Sequence, residues 1–210
     1  KSGQINRKSW NEKTRNVDVF DIKSDTIRTL TELGLEEKNL FVSELTKGSY
    51  HPGRSGSITL KSEKGPLLAY FGELHPGIVK KIDFKNKNIF GFEVFLKNIP
   101  QPNKKVRQTK TNFIVSDFQK SERDFAFVID KSFKIGLLEK LIKEVDENII
   151  QKVSTFDIYE GENIPKEKKS VAINVILQAF NKTLDEKDLD HISQKIIETV
   201  KEKTGATIRS

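Results

Sequence analysis

Between residues 169 and 180 the chain reads KSVAINVILQAF, with apolar and polar positions in strict alternation. Val171, Ile173, Val175 and Leu177 fall on one side; Ser170, Ala172, Asn174, Ile176 and Gln178 fall on the other. A period of two predicts a strand with one buried face. RDFAFVID (123–130) and KVSTFDIY (152–159) predict two more strands. In the first of these, Phe125 and Phe127 share the core face, with Asp124, Ala126 and Val128 on the other. KIGLLEKLIKEVDENI (134–149) switches to a period near 3.6 and predicts an amphipathic helix with Ile135, Leu138, Leu141, Ile142, Val145 and Ile149 inward. Thr183-Leu-Asp-Glu186 reads as a capping box opening a helix with Leu189, Ile192, Ile196 and Val200 on one face, closed by Gly205. ATIRS (206–210) predicts a last short strand. The order β-α-β-β-α-β is that of a ferredoxin-like domain: an antiparallel sheet, two helices on one face, the other face open.

The first half is less regular. VDVFDIKSDTIRTLTELGL predicts a short strand and then a helix with Ser24 as N-cap, Ile27, Leu30 and Leu33 on one face, and Gly34 just past the end. LFVSEL (40–45) predicts a strand. SITLK (57–61) and PLLAYFGEL (66–74) flank SEKG as a hairpin. PGIVKKI opens with Pro76 and predicts a short helix. NIFGFEVFL (88–96), dense in Phe, predicts a buried strand. The class is α+β, mostly antiparallel sheet. Between the halves lies KNIPQPNKKVRQTKTN (97–112), with two prolines, five basic residues and no acid. This composition marks a linker. The expected division is a first domain over 1–100, a basic linker over 101–116 and a second domain over 117–210.

Composition narrows the chemistry. Hydrophobic residues make up 35% and charged residues 32% of the chain, with 14 Phe and one Trp, Trp10. No apolar run has the length of a membrane helix, and no secretory leader is visible. Cysteine is absent, which excludes disulfides, thiol nucleophiles and Cys-ligated zinc and leads us to expect a cytoplasmic protein. Methionine is also absent, so the chain reads as a piece of a longer one. The formal net charge of +7 divides into +9 over residues 1–116 and −2 over 117–210. A basic half can attract a polyanion, although Lys-rich surfaces without that role are common.

His-Pro-Gly occurs twice, at 51–53 and 75–77. A metal pair would need convergent ligands, and neither histidine has a second His, Cys or Asp two to four residues on. A hydrolase built on His51 or His75 would also need a nucleophile motif, and none is present. The tripeptide itself reads as a turn: Pro fixes φ, and Gly permits a tight reversal.

Larger blocks carry a resemblance. Arg123-Asp124, Phe156-Asp157-x-Tyr159-x-Gly161, Lys169-Ser170, Thr183-Leu184 and the closing Gly-Ala-x-Ile-Arg recur in order over residues 121–210. This set resembles the ferredoxin-fold anticodon-binding domain that ends the beta subunit of bacterial phenylalanine–tRNA ligase. Val19-Phe-Asp-Ile-Lys-Ser-Asp25, His51 to Ser55, Gly72 with His75-Pro76, and Phe92-Glu93 resemble the catalytic-like module of the same subunit. There Ser24 replaces the usual glycine. The resemblance implies a class II ligase type of sheet module followed by the ferredoxin-like domain. It implies an alpha2-beta2 heterotetramer that charges a phenylalanine-accepting tRNA using ATP and Mg2+, with catalysis in the alpha subunit. It implies no catalytic residue, metal ligand or cofactor in this stretch, and no DNA or membrane partner.

For the tRNA, the candidate contacts are Arg123, Asp157, Tyr159, Lys168, Lys169, Ser170, Asn174 and Gln178. Arg123 could meet RNA or form a salt bridge with an acid of its own domain. Lys168 and Lys169 suit backbone phosphates, or are ordinary solvated lysines. Tyr159 could stack a base or hydrogen-bond in a corner. Ser170, Asn174 and Gln178 could read base edges or solvate the sheet. The basic stretch 104–110 could tether RNA or merely connect. Arg54 is the candidate for the subunit interface. The competing reading is a ferredoxin-like interaction scaffold without RNA binding, which the −2 charge of the second domain keeps open.

Overall fold

The computed structural model describes residues 1–5, 14–45, 47–82, 84, 88–101 and 115–209. The basic stretch 104–110 and Trp10 lie outside the described residues. The chain forms two compact units, Lys1–Lys110 and Thr111–Ser210.

In the first unit, helix α1 (Val19–Glu32) precedes strands β1 (Leu40–Ser43), β2 (Tyr50–Leu60) and β3 (Leu67–Leu74). A short helix α2 (Pro76–Lys81) and strand β4 (Phe90–Val94) follow. The four strands form one antiparallel sheet in the order β1-β2-β3-β4. Ile22 and Leu30 of α1 pack with Ile58, Leu68, Ala69, Phe71 and Phe90.

Three expectations change here. The stretch VDVF is not a strand, and Ser24 is not the cap. Asp18 is the N-cap: its carboxylate accepts from the amides of Phe20 and Asp21, while Asp21 accepts from the amide of Asp18. A reciprocal acidic box outweighs the β preference of two valines. Arg15 locks the box from outside through Asp21, at 2.6 and 2.7 Å, which holds the Asp21 carboxyl well below the usual carboxylate range. The second change is the start of β2. It begins at Tyr50 rather than near 57, so the first His-Pro-Gly sits inside a strand. Third, β4 is an edge strand in which Phe90 is buried but Phe92 is exposed.

The second unit has the expected element order. Strand β5 (Ser121–Asp130), helix α3 (Ile135–Lys143), strands β6 (Ile150–Tyr159) and β7 (Lys168–Leu177), helix α4 (Glu186–Thr204) and strand β8 (Thr207–Ile208) build a sheet of order β6-β7-β5-β8. All pairings are antiparallel. Val171, Ile173, Val175 and Leu177 are fully buried together with Phe127, Leu138, Ile142 and Ile196. The alternation therefore turns one face to the helices and leaves the other open.

Two boundaries differ from expectation. Helix α3 ends at Lys143, because the Asp146 carboxylate takes the amides of Asn148 and Ile149 and turns the chain into β6. The capping box of α4 is Asp185 with Asp188, not Thr183 with Glu186. Leu184 and Leu189 flank that cap and both join the core, a hydrophobic staple. Gly205 closes the helix at φ +67°, as expected of a C′ glycine.

The register of β6 carries the most consequence. Thr155 pairs with Ile173 and Asp157 with Ala172, so Phe156 is an extra, bulged residue. Unbroken alternation would put Thr155, Asp157 and Tyr159 on one face. The bulge separates them. Thr155 faces α3, where its amide and hydroxyl both donate to Glu139 at 2.9 and 2.8 Å. Asp157 and Tyr159 stand opposite Ala172 and Ser170 on the open face. Deleting Phe156 should therefore make the ladder regular from Lys152 to Tyr159 and leave both faces unchanged, with a folded domain by far-UV circular dichroism. Deleting Asn174 from the central strand should invert half of β7 and unfold the domain. Equal damage from the two deletions would contradict this register.

Candidate nucleic-acid interface

The open face of the second unit has two unlike ends. At one end, Asn174 donates to Asp124 at 2.8 Å and to Glu122 at 3.3 Å. This closes a small acidic cluster on itself. At the other end, Tyr159, Ser170, Val128 and Thr207 form one cross-strand row, and Lys168 stands opposite Asp130 one step beyond. Between the ends lies a row of low relief, Asp157, Ala172 and Ala126.

The eight candidates separate by face. Asp157 and Tyr159 are exposed on the open side. Lys168 lies at its rim, half-buried. Ser170 is on the same side but only 5% exposed, so its hydroxyl is not presented to a large partner. Asn174 is on that side and occupied by the two carboxylates. Gln178 is buried and is used internally: its amide donates to the carbonyl of Phe118 at 2.6 Å and pins the chain entering the domain. Lys169 points the other way and donates to the carbonyls of Lys131 and Phe133 at 2.8 and 2.9 Å, closing the turn before α3. Arg123 stands opposite Val175, on the helix side, and donates to the carbonyl of Glu122 at 3.3 Å. Strand alternation places each residue on a face. It does not reveal which polar groups are already satisfied by the backbone.

Sequence reasoning missed Arg209. Its amide donates to Ala126 at 2.7 Å, which aligns it with the row of alanines. Its guanidinium lies 5.6 Å from the centre of the Tyr159 ring. The signal was present in the last strand, where Thr207 and Arg209 share the parity of the open face.

In the first unit, both His-Pro-Gly motifs make the same local bond. Nδ1 of His51 accepts from the amide of Gly53 at 3.0 Å, and Nδ1 of His75 from that of Gly77 at 3.1 Å. His75 caps α2, as the turn reading expects. His51 instead lies in a wide bulge between the Tyr50–Leu74 and Ser55–Gly72 pairs. Gly72 is required there: it has φ +150°, and a Cβ would lie 2.2 Å from that of Ser55. With Nδ1 engaged in each ring, the two histidines serve the backbone rather than a shared ligand. Among the described residues no group of three His, Asp or Glu could hold a metal. Among the same residues no helix is long and apolar enough to cross a membrane. Arg54, the interface candidate, has an internal partner: its Nε donates to Glu73, which is 3% exposed. That hydrogen bond raises the Arg54 pKa further.

Comparison with known proteins gives two family matches along the chain. Residues 116–209 match the family model described as the ferredoxin-fold anticodon binding domain. Residues 1–96 match the one described as the phenylalanyl tRNA synthetase beta chain CLM domain. An anticodon-binding domain behind a synthetase-chain domain defines a component of an aminoacyl-tRNA synthetase. The phenylalanine–tRNA ligase beta subunit of Bartonella henselae is 39% identical over 200 residues, covering 95% of this chain and 24% of that protein. Those of Rickettsia bellii and Paramagnetospirillum magneticum are 36% and 34% identical over 209 residues. They cover 99% and 100% of this chain, and 23% and 26% of theirs. The chain belongs to the family of phenylalanine–tRNA ligase beta subunits and spans about a quarter of the length of the curated relatives it matches.

The Arg54–Glu73 pair yields a stability prediction. Arg54→Ala leaves a buried carboxylate without its partner and should cost the first unit about 1–2 kcal/mol, reduced because the guanidinium is half in water. Adding Glu73→Gln should recover part of this loss in urea unfolding. An unchanged midpoint for Arg54→Ala would show that the pair contributes nothing.

Proposed function

We propose that this chain docks the anticodon region of a phenylalanine-accepting tRNA through its second unit and supports a catalytic alpha subunit through its first. In this reading it is part of an alpha2-beta2 enzyme of the cytoplasm that charges tRNA with phenylalanine at the expense of ATP. ATP and Mg2+ act at the alpha subunit, and no catalytic residue is assigned to this chain. The observation that carries the proposal is the pair Asp157 and Tyr159. The Phe156 bulge delivers them side by side to the exposed, open face of a domain matched to anticodon binding. A carboxylate accepts from base-edge amino and imino groups, and an exposed ring offers a stacking surface. Lys168 at the rim suits a backbone phosphate.

The acidic end formed by Glu122, Asp124 and Asn174 favours the second reading, a protein-interaction scaffold without RNA. Binding measurements separate the two. The 210-residue chain should bind a phenylalanine-accepting tRNA more tightly than an unrelated tRNA, and Asp157→Ala should weaken the cognate complex about tenfold. Affinity should fall as salt rises. Equal, weak binding of both tRNAs at low salt would favour the scaffold. Phenylalanine transfer should appear only when an alpha subunit is added. Charging by this chain alone would refute the non-catalytic assignment.

A further inference from the structure

Helix α1 of the first unit uses two of its sides and leaves a third open. Ile22, Thr26 and Leu30 are buried against the sheet. On one flank Asp21 pairs with Arg15 and Asp25 with Lys1, so these acids are neutralised within the unit. The third side carries Phe20, Ser24, Ile27 and Thr31. With Glu37, in the short turn that follows the helix, they line a groove of about 440 Å³.

The steps between these four residues are four, three and four, the spacing of a helix–helix seam. Large and small side chains alternate along it, which leaves gaps for the side chains of a second helix. Phe20 is 71% exposed, although its amide is held in place by the Asp18 cap at 2.8 Å. The Thr31 hydroxyl donates to the carbonyl of Arg28 at 2.8 Å and is thereby satisfied within the helix.

Charge narrows what can lie there. Lys23 and Arg28 also line the groove, about 70° to either side of the seam's midline. Among the described residues neither forms a salt bridge. A second copy of α1 would set cation against cation on both flanks, whether parallel or antiparallel. A nucleic acid would meet the Glu37 carboxylate and has no use for a seam of helical spacing.

We infer that the outer face of α1 is a docking groove for an acidic amphipathic helix of another polypeptide. The apolar stripe of that helix seats over Ser24 between Phe20 and Ile27, and carboxylates beside the stripe pair with Lys23 and Arg28. Phe20 is the anchor, because its ring leaves water only when the helix is seated. The two ion pairs lie at the rim and set orientation and partner choice more than affinity. The groove belongs to the first unit, so RNA binding by the second unit is a separate matter.

The test uses the 210-residue chain and two labelled peptides of about 20 residues, long enough to hold a helix. One carries a leucine stripe flanked by glutamates; its twin carries the same stripe flanked by lysines. In fluorescence anisotropy the glutamate peptide should bind at least about tenfold more tightly than the twin. Lys23→Glu combined with Arg28→Glu should reverse that preference. Phe20→Ala should weaken the glutamate peptide about tenfold and keep the preference. Thermal melts matching the unmodified chain identify variants that keep the fold. No binding of the glutamate peptide, equal binding of the two peptides, or binding indifferent to Phe20 would overturn the groove. A dimer in sedimentation that Phe20→Ala dissolves would assign the face to a second copy instead, and loss of tRNA binding in Phe20→Ala would assign it to RNA; either would overturn the proposal.

Discussion

The second unit depends on a geometric limit: two helices cover one face of a four-stranded sheet and no more. Strand β7 shows the limit most directly. Val171, Ile173, Val175 and Leu177 lose all contact with water, and each such burial contributes about 1.5–3 kcal/mol relative to exposure. That set binds the strand to its register, since a slip of one residue would expose every member. The residues between them are thereby committed to the open side. The open face follows from the packing of the core, and its polar groups have been placed by apolar neighbours.

A face defined in this way is not uniform. Its acidic carboxylates meet Asn174, its buried amide holds the entering chain, and Lys169 belongs to the turn on the other side. In the proposed reading, what remains for a partner runs from the middle of the face to one end, around Asp157, Tyr159 and Arg209. The bulge at Phe156 is responsible for that concentration. It changes the parity of β6 after Thr155, giving Thr155 to α3 and the next polar pair to the open face. One inserted residue lets a single edge strand serve the core at its start and the surface at its end.

Much of this was legible in the sequence where periodicity was long and unbroken. The β7 alternation, the inward face of α4 and Gly205 each had one physical solution. Local hydrogen bonding was harder to read. Asp18 and Asp185 outcompeted Ser24 and Thr183 as helix caps, and Asp146 ended α3 early, because carboxylates accept several backbone amides at once. Bulges were not legible at all: they insert a residue without changing its type, so Phe156 and the looped His51 segment both defeated simple alternation. Arg209, quoted only as the end of a motif, was not assigned to the site for another reason. Its partner lies about 50 residues away in the chain and three strands across the sheet, and only the assembled register shows that two alanines separate them.

In the proposed reading, RNA occupies the Tyr159 end of the open face. Chemical-shift mapping of the 210-residue chain titrated with the phenylalanine anticodon stem-loop tests it directly. Resonances of Asp157, Tyr159, Ala172 and Arg209 should move while those of Glu122, Asp124, Asn174 and the outer surfaces of α3 and α4 stay in place. Shifts centred on the helices, or on the Glu122–Asn174 end, would contradict it.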